Sequence, residues 1–141
     1  MPEAGAGYSA TPLPKKLGLK DGQAACFIHL PETLRWLAEA VQFIDLTDIP
    51  EPGGELDVVH LFVMSRDQLN ALLPQARLAI AQAGMIWVSW PKKASKVETD
   101  MTEDAVREAA FQMDLVDIKV CAVDEIWSGL KLVIRKQKRR F

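Results

Sequence analysis

Apolar residues in this chain come in short unbroken runs, and between the runs they recur at helical spacing. Ala24-Ala25-Cys26-Phe27-Ile28-His29-Leu30 has one polar member, the pattern of a strand covered on both faces of a parallel sheet. Pro31 then suits the first turn of a helix, and Leu34, Leu37 and Val41 give that helix an apolar stripe. Residues 41–46 read as a second strand, followed by a loop broken by Pro50, Pro52, Gly53 and Gly54. Leu56-Asp57-Val58-Val59-His60-Leu61-Phe62-Val63 is a further buried strand, with His60 expected to be a hydrogen-bonded core residue.

The pattern sharpens downstream. Ser65 offers its hydroxyl as an N-cap and Gln68 completes a capping box. Leu69, Leu72, Leu73, Ala76 and Ile80 form the buried stripe of the helix that follows. Pro74 predicts a kink or break in it, and Gly84 a left-handed end. Residues 85–90 are the next strand. After a polar loop over 91–101, Thr102 caps a helix that buries Val106, Ala109, Ala110 and Met113, with Glu103 and Asp104 set favourably against its dipole. Residues 116–123 and 129–135 are two final strands, and the five residues between them cannot make a parallel crossover. The fold class is therefore α/β: an open, mostly parallel sheet with helices on both faces and a C-terminal antiparallel β-hairpin. An irregular arm over residues 1–23 precedes the α/β domain of 24–135, and residues 136–141 form a basic tail.

Composition narrows the class without naming a reaction. A chain of 141 residues that is 49% hydrophobic fits one domain with a real core, which excludes a disordered tail or a fibrous repeat. No apolar run approaches the roughly 18 residues a membrane-crossing helix needs, and residues 1–16 lack a secretory pattern, so a cytoplasmic location is expected. The net charge of −2 hides an asymmetry, because Arg135, Lys136, Lys138, Arg139 and Arg140 leave 12 basic against 19 acidic residues in the rest. An acidic body is a poor partner for phosphate backbones, and nucleic acid is not expected as a ligand. Cys26 and Cys121 lie in apolar runs and are expected to stay reduced. Nothing has zinc-ligand spacing, so no metal is expected.

A parallel sheet whose last strand returns antiparallel resembles the class I methyltransferase fold. Leu56-Asp57-Val58-Val59-His60 is similar to that fold's fourth strand, and Ala83-Gly84-Met85-Ile86 to its glycine turn into the fifth. Three further stretches resemble a family of small bacterial proteins of unknown function. They are Val88-Ser89-Trp90-Pro91-Lys92, Ser95-Lys96-Val97-Glu98-Thr99-Asp100 and residues 120–131. That likeness runs along nearly the whole chain, including the arm at residues 7–13.

The methyltransferase resemblance implies S-adenosylmethionine, held by a glycine-rich loop after the first strand. In this chain the matching residues are His29-Leu30-Pro31-Glu32-Thr33-Leu34, which contain no glycine, and Pro31 removes one backbone donor. Asp45 or Asp48 would stand in for the ribose-binding acid. Residues 47–55 are too few for the helix–strand–helix that this fold inserts there. A truncated methyltransferase-like fold is expected, with no cofactor, S-adenosylmethionine included.

Open α/β sheets bind ligands beyond the carboxyl ends of their strands, where the strand order reverses. That rim gathers His29 and Glu32, Ser65 and Arg66, the loop over 90–100 and the turn over 124–127. Lys92, Lys93, Ser95 and Lys96 suit a phosphate or carboxylate, or else form a solvated loop paired with Glu98, Asp100 or Asp124. Trp90 and Trp127 fall at strand ends, where a ring stacks on a ligand, anchors a partner or caps the sheet. Trp36 and Trp87 are assigned to packing. His29 with Glu32, and Asp124 with Glu125, are acid/base pairs by spacing, but neither comes with a nucleophile or an orienting third group. The expectation is a non-catalytic domain whose rim takes a small anionic ligand or a protein partner. The alternatives are an enzyme of unassigned chemistry using Lys96, Glu98, Asp124 or His29, an S-adenosylmethionine-dependent methyltransferase, and nucleic-acid binding through the tail.

Overall fold

Strand β1 (Ala24–Ile28) is apolar on both faces and lies inside the sheet. It pairs in parallel with β2 (Asp45–Thr47) on one side and β3 (Leu56–Phe62) on the other. In turn β3 pairs in parallel with β4 (Ile80–Pro91). The last strand, β6 (Trp127–Ile134), inserts antiparallel between β4 and β5 (Leu115–Ala122), giving the order β2-β1-β3-β4-β6-β5. Two successive antiparallel pairings leave β5 running with β1 to β4, so the hairpin turn and the other carboxyl ends share one edge. The structure, a computed structural model, describes residues 11–138.

Alternation along the strands feeds two apolar layers. One layer sets Leu69, Leu73 and Ala76 of α2 (Arg66–Ala79) and Val106 and Ala110 of α3 (Glu103–Gln112) against Val59, Leu61, Ile86, Val88, Leu130 and Leu132. The other sets α1 (Leu13–Lys16), Leu17 and Leu19, with Leu34 and Leu37, against Val58, Phe62, Met85 and Trp87. Indole Nε1 of Trp87 donates to the Leu17 carbonyl at 2.9 Å, fastening the arm to the middle of β4. Part of the stretch expected to be irregular is thus one helical turn that buries Leu13, followed by the buried Leu17 and Leu19. Residues 1–10 and 139–141, and with them part of the arm and of the basic tail, lie outside the described residues. Among the described residues no helix is long and apolar enough to cross a membrane.

Four local expectations are corrected. The segment after Pro31 is a 3-10 helix over Glu32–Glu39, whose buried residues Leu34 and Leu37, one 3-10 turn apart, face the core together. Strand β2 begins at Asp45, and Val41 and Phe43 pack on the core from the preceding loop. Helix α2 runs unbroken through Pro74, since its buried face on both sides of the proline outweighs one lost hydrogen bond. Gly84 ends no helix: α2 stops at Ala79 and Gly84 lies within β4. An added Cβ there would meet the Leu56 carbonyl at 2.8 Å, so glycine is required by the close approach of β3 where the β3–β4 register shifts.

Candidate functional site

Strand order reverses between β1 and β3, and the crevice of this sheet opens above their carboxyl ends. Two clefts meet there at His29. One, about 590 Å³, lies over β1 and β2 and is lined by Phe27, Leu30 and Leu46 together with Arg35, Glu39, Thr47 and Asp48. The other, about 390 Å³, lies between β1 and β3 and is lined by Pro31, Phe62, Met64, Gln68 and Trp127. Phe62 and Trp127 meet edge to face in that second cleft, with ring centroids 5.3 Å apart.

His29 holds a left-handed backbone with φ of +59°. Side chains avoid this region because Cβ crowds the following carbonyl, at a cost of roughly 1–2 kcal/mol, although histidine is among the residues enriched there. The turn that glycine commonly makes is therefore made here without one. Pro31 precedes the 3-10 helix with its carbonyl accepting from Leu34 N at 2.9 Å. Glu32 is exposed and lies 3.8 Å from Arg35.

Around the β3 end, polar groups are committed to the backbone. Ser65 Oγ accepts from Gln68 N at 3.1 Å as the expected cap, while Gln68 Oε1 reaches one residue further back than a capping box requires and accepts from Met64 N at 2.6 Å. Arg66 N donates to Asp100 Oδ1 at 2.9 Å, so a carboxylate of this chain already sits on the α2 N-terminus. Thr99 Oγ1 donates to the Met64 carbonyl at 2.6 Å and ties the same loop down.

The lysine loop forms a short 3-10 turn over Lys93–Ser95, closed by Lys96 at φ of +63°. Ser95 Oγ donates to the Lys92 carbonyl at 2.7 Å and accepts from Val97 N, and Lys92 N donates to the Ile126 carbonyl at 2.7 Å. None of these lysines forms an ion pair with Glu98, Asp100 or Asp124 among the described residues. Asp124 Oδ1 accepts from Ile126 N and Trp127 N, at 2.8 and 2.7 Å, which shapes the hairpin turn. Trp90 is buried in the α2–α3 layer beside Met101, on the face opposite Trp127. Of the residues singled out from sequence, the fold brings His29 and Trp127 together on one cleft, while Trp90 and the lysine loop stand apart from it. Phe27, Arg35, Glu39, Leu46 and Thr47 entered no sequence argument about the site. Arg35 and Glu39 lie four apart beside the buried Leu34 and Leu37, a spacing that could have drawn attention to them.

Asp48 also acts electrostatically on the core. The Cys26 thiol is pushed up to about 12, first by burial and then by this carboxylate. Deeper in the sheet, His60 Nε2 lies 2.7 Å from Ser89 Oγ, both buried, as its position in an apolar strand led us to expect. His60 stacks on Phe62 at 4.2 Å and does not reach the clefts. Among the described residues no group of three potential metal ligands converges.

Sheet order, hairpin and crevice define a class I methyltransferase-like fold, with the helix–strand–helix after β2 absent. Solved structures agree on the architecture. A SAM-dependent methyltransferase from Aquifex aeolicus is similar at TM-score 0.61 and 15% identity, over 85% of this chain and 86% of that one. The magnesium protoporphyrin IX methyltransferase from Synechocystis, with bound SAM, is similar at TM-score 0.57 and 13% identity, over 82% and 71%. A 1,6-didemethyltoxoflavin-N1-methyltransferase from Burkholderia thailandensis, with S-adenosylhomocysteine, is similar at 0.56 and 10%, over 88% and 75%. At such identities the likeness is one of fold. No curated protein matches the chain. Residues 32–136 match the family described as "Protein of unknown function (DUF3052)", and the chain belongs to that family.

Proposed function

We propose that this chain is a non-catalytic binding domain whose cleft over β1 and β2 receives a small ligand, and that S-adenosylmethionine is not that ligand. The observation that carries the reading is the turn after β1. A nucleoside cofactor in this kind of fold rests against a main chain that glycine allows to come close. Here the left-handed path is kept, but an imidazole occupies it and Pro31 supplies no N–H. The residues present do not fit that cofactor. A strained, exposed side chain held where two clefts meet is the kind of feature that binding sites retain.

The lining suggests the ligand's chemistry. His29 and Arg35 favour an anionic group, Thr47 and Asp48 accept hydroxyl or amino hydrogens, and Phe27 and Leu46 cover an apolar part. A small organic anion carrying hydroxyl groups has all three features. The two unpaired cysteines support a reducing compartment, and we place the domain in the cytoplasm.

Calorimetric titration with S-adenosylmethionine, S-adenosylhomocysteine and a panel of small hydroxylated carboxylates and phosphates tests the reading. Neither adenosyl compound should bind, and a panel member should bind to the native chain but not to Asp48→Ala. Micromolar affinity for either adenosyl compound would overturn it. A second reading, an enzyme, draws on one observation: the same cleft holds an imidazole and the carboxylates of Glu39 and Asp48, groups able to move a proton. It requires turnover of a bound panel member, lost in His29→Ala with binding kept.

A further inference from the structure

We propose that Lys16, Lys20, Lys119 and Lys131 form a binding site for a compact, multivalent phosphate compound, on the face shared by α1, β5 and β6. This site is independent of the cleft over β1 and β2, which lies at the other end of the sheet.

Lys119 and Lys131 are direct register partners across the β5–β6 pair. Such partners project from the same face with Cβ atoms about 5 Å apart, so the two ammonium groups are neighbours. Lys119 Nζ donates to the Lys16 carbonyl at 3.1 Å, which brings the end of α1 and its lysine to the pair. Lys20 completes the group: Lys131 has its charged form disfavoured by burial, then by Lys119 and Lys20. Lys16 and Lys119 together pull down the Cys121 thiol that burial pushes up.

Among the described residues no carboxylate forms an ion pair with them. The ion pairs among the described residues all use arginine: Arg35 with Glu32, Arg107 with Glu103, Asp104 and Asp117, and Arg135 with Asp114. Like charges placed opposite each other on paired strands destabilise a sheet, and partial burial of Lys131 adds to that cost. Protection of an exposed edge accounts for a lysine on β5, but β6 is an inner strand and needs none. A bound anion reverses both penalties. The rest of the chain is acidic, so this is a local positive spot rather than one side of a basic protein.

The donors also select the anion. Ammonium groups are compact point charges, and a multiply charged phosphate compound offers oxygens to several of them at once. Single-stranded nucleic acid needs rings on which bases stack, and the nearest indole, Trp87, is fully buried beneath this face.

The test is titration of the full chain with inorganic pyrophosphate, read by calorimetry and by NMR shifts of the lysine methylenes. Saturable binding should weaken at least about tenfold in the Lys119→Ala/Lys131→Ala double variant and as salt rises. Its melting temperature, equal to or above that of the native chain, will show that the fold survives loss of the repelling pair. Lys92→Ala/Lys93→Ala should bind as the native chain does. No saturable binding, or equal affinity in the double variant, would overturn the site. A short single-stranded oligonucleotide binding more tightly than pyrophosphate would overturn the choice of a compact ligand.

Discussion

Asp100 and Arg66 clasp each other. The Asp100 carboxylate accepts the Arg66 backbone N–H at 2.9 Å, and Arg66 Nε donates back to the Asp100 carbonyl at 2.9 Å. The loop after β4 is thereby held on the first turn of α2. Replacing Asp100 with Ala should lower stability by about 1 kcal/mol, as loss of an N-terminal cap does, and Asp100→Asn should recover much of it. Urea unfolding measures both. Equal stability of the native and alanine forms would show that the loop is held by Thr99 and Met101 instead.

The buried His60–Ser89 pair predicts a pH dependence. Among the described residues His60 Nδ1 has no partner, so the imidazole is best held neutral with its proton on Nε2, donating to Ser89 Oγ. Burial lowers this group from 6.5 in the unfolded chain to about 3. The stability it contributes is whole above about pH 6.5 and is lost progressively as pH falls toward 3, at up to about 1.4 kcal/mol per pH unit. His60→Gln should flatten the acid limb of the stability curve by about one proton, whatever its effect at neutral pH. An unchanged slope would assign acid unfolding to other groups.

Two glycine substitutions should separate crowding from backbone strain. Gly84→Ala drives a Cβ to 2.8 Å from a backbone carbonyl that cannot swing aside, and should cost about 2–3 kcal/mol. Gly22→Ala meets nothing within 4 Å but sits at φ of +89°, and should cost only about 1 kcal/mol. Denaturant midpoints that reversed this order would contradict the packing at the β3–β4 junction.

Both thiols should be inert while the chain is folded. Cys26 and Cys121 are buried, and burial raises both of them, so the reactive thiolate is scarce at neutral pH. A maleimide should label neither before unfolding and both after it, as mass spectrometry will record. Fast labelling of Cys26 in the native state would mean that β2 opens away from β1.

The strand–helix order and the hairpin were legible because each strand is a compact apolar run, and because five residues cannot carry a parallel crossover. Helix type and strand limits were less so. Leu34 and Leu37 satisfy both a 3-10 and an α period, and only the packing distinguishes them. Gly84 carries a signal shared by helix ends and by close strand contacts, and its neighbour Leu56 lies far away in the chain. At the rim, the sequence located His29 and Trp127 but not the use of their neighbours. Whether Ser65, Arg66 and Asp124 face a ligand or their own backbone depends on loop geometry that no local pattern encodes. The lysine group on α1, β5 and β6 was invisible for a related reason, since its members come from both ends of the chain.

The hydrogen bond from Trp87 to Leu17 has a practical corollary for anyone isolating this fold. A fragment cut to residues 32–136, the stretch that matches the family, would discard β1 from between β2 and β3 and strip the leucines that roof the indole. Two strands would lose their common neighbour, and a fully enclosed tryptophan would face water. A fragment meant to keep this packing must therefore include Leu13, well upstream of the matched residues.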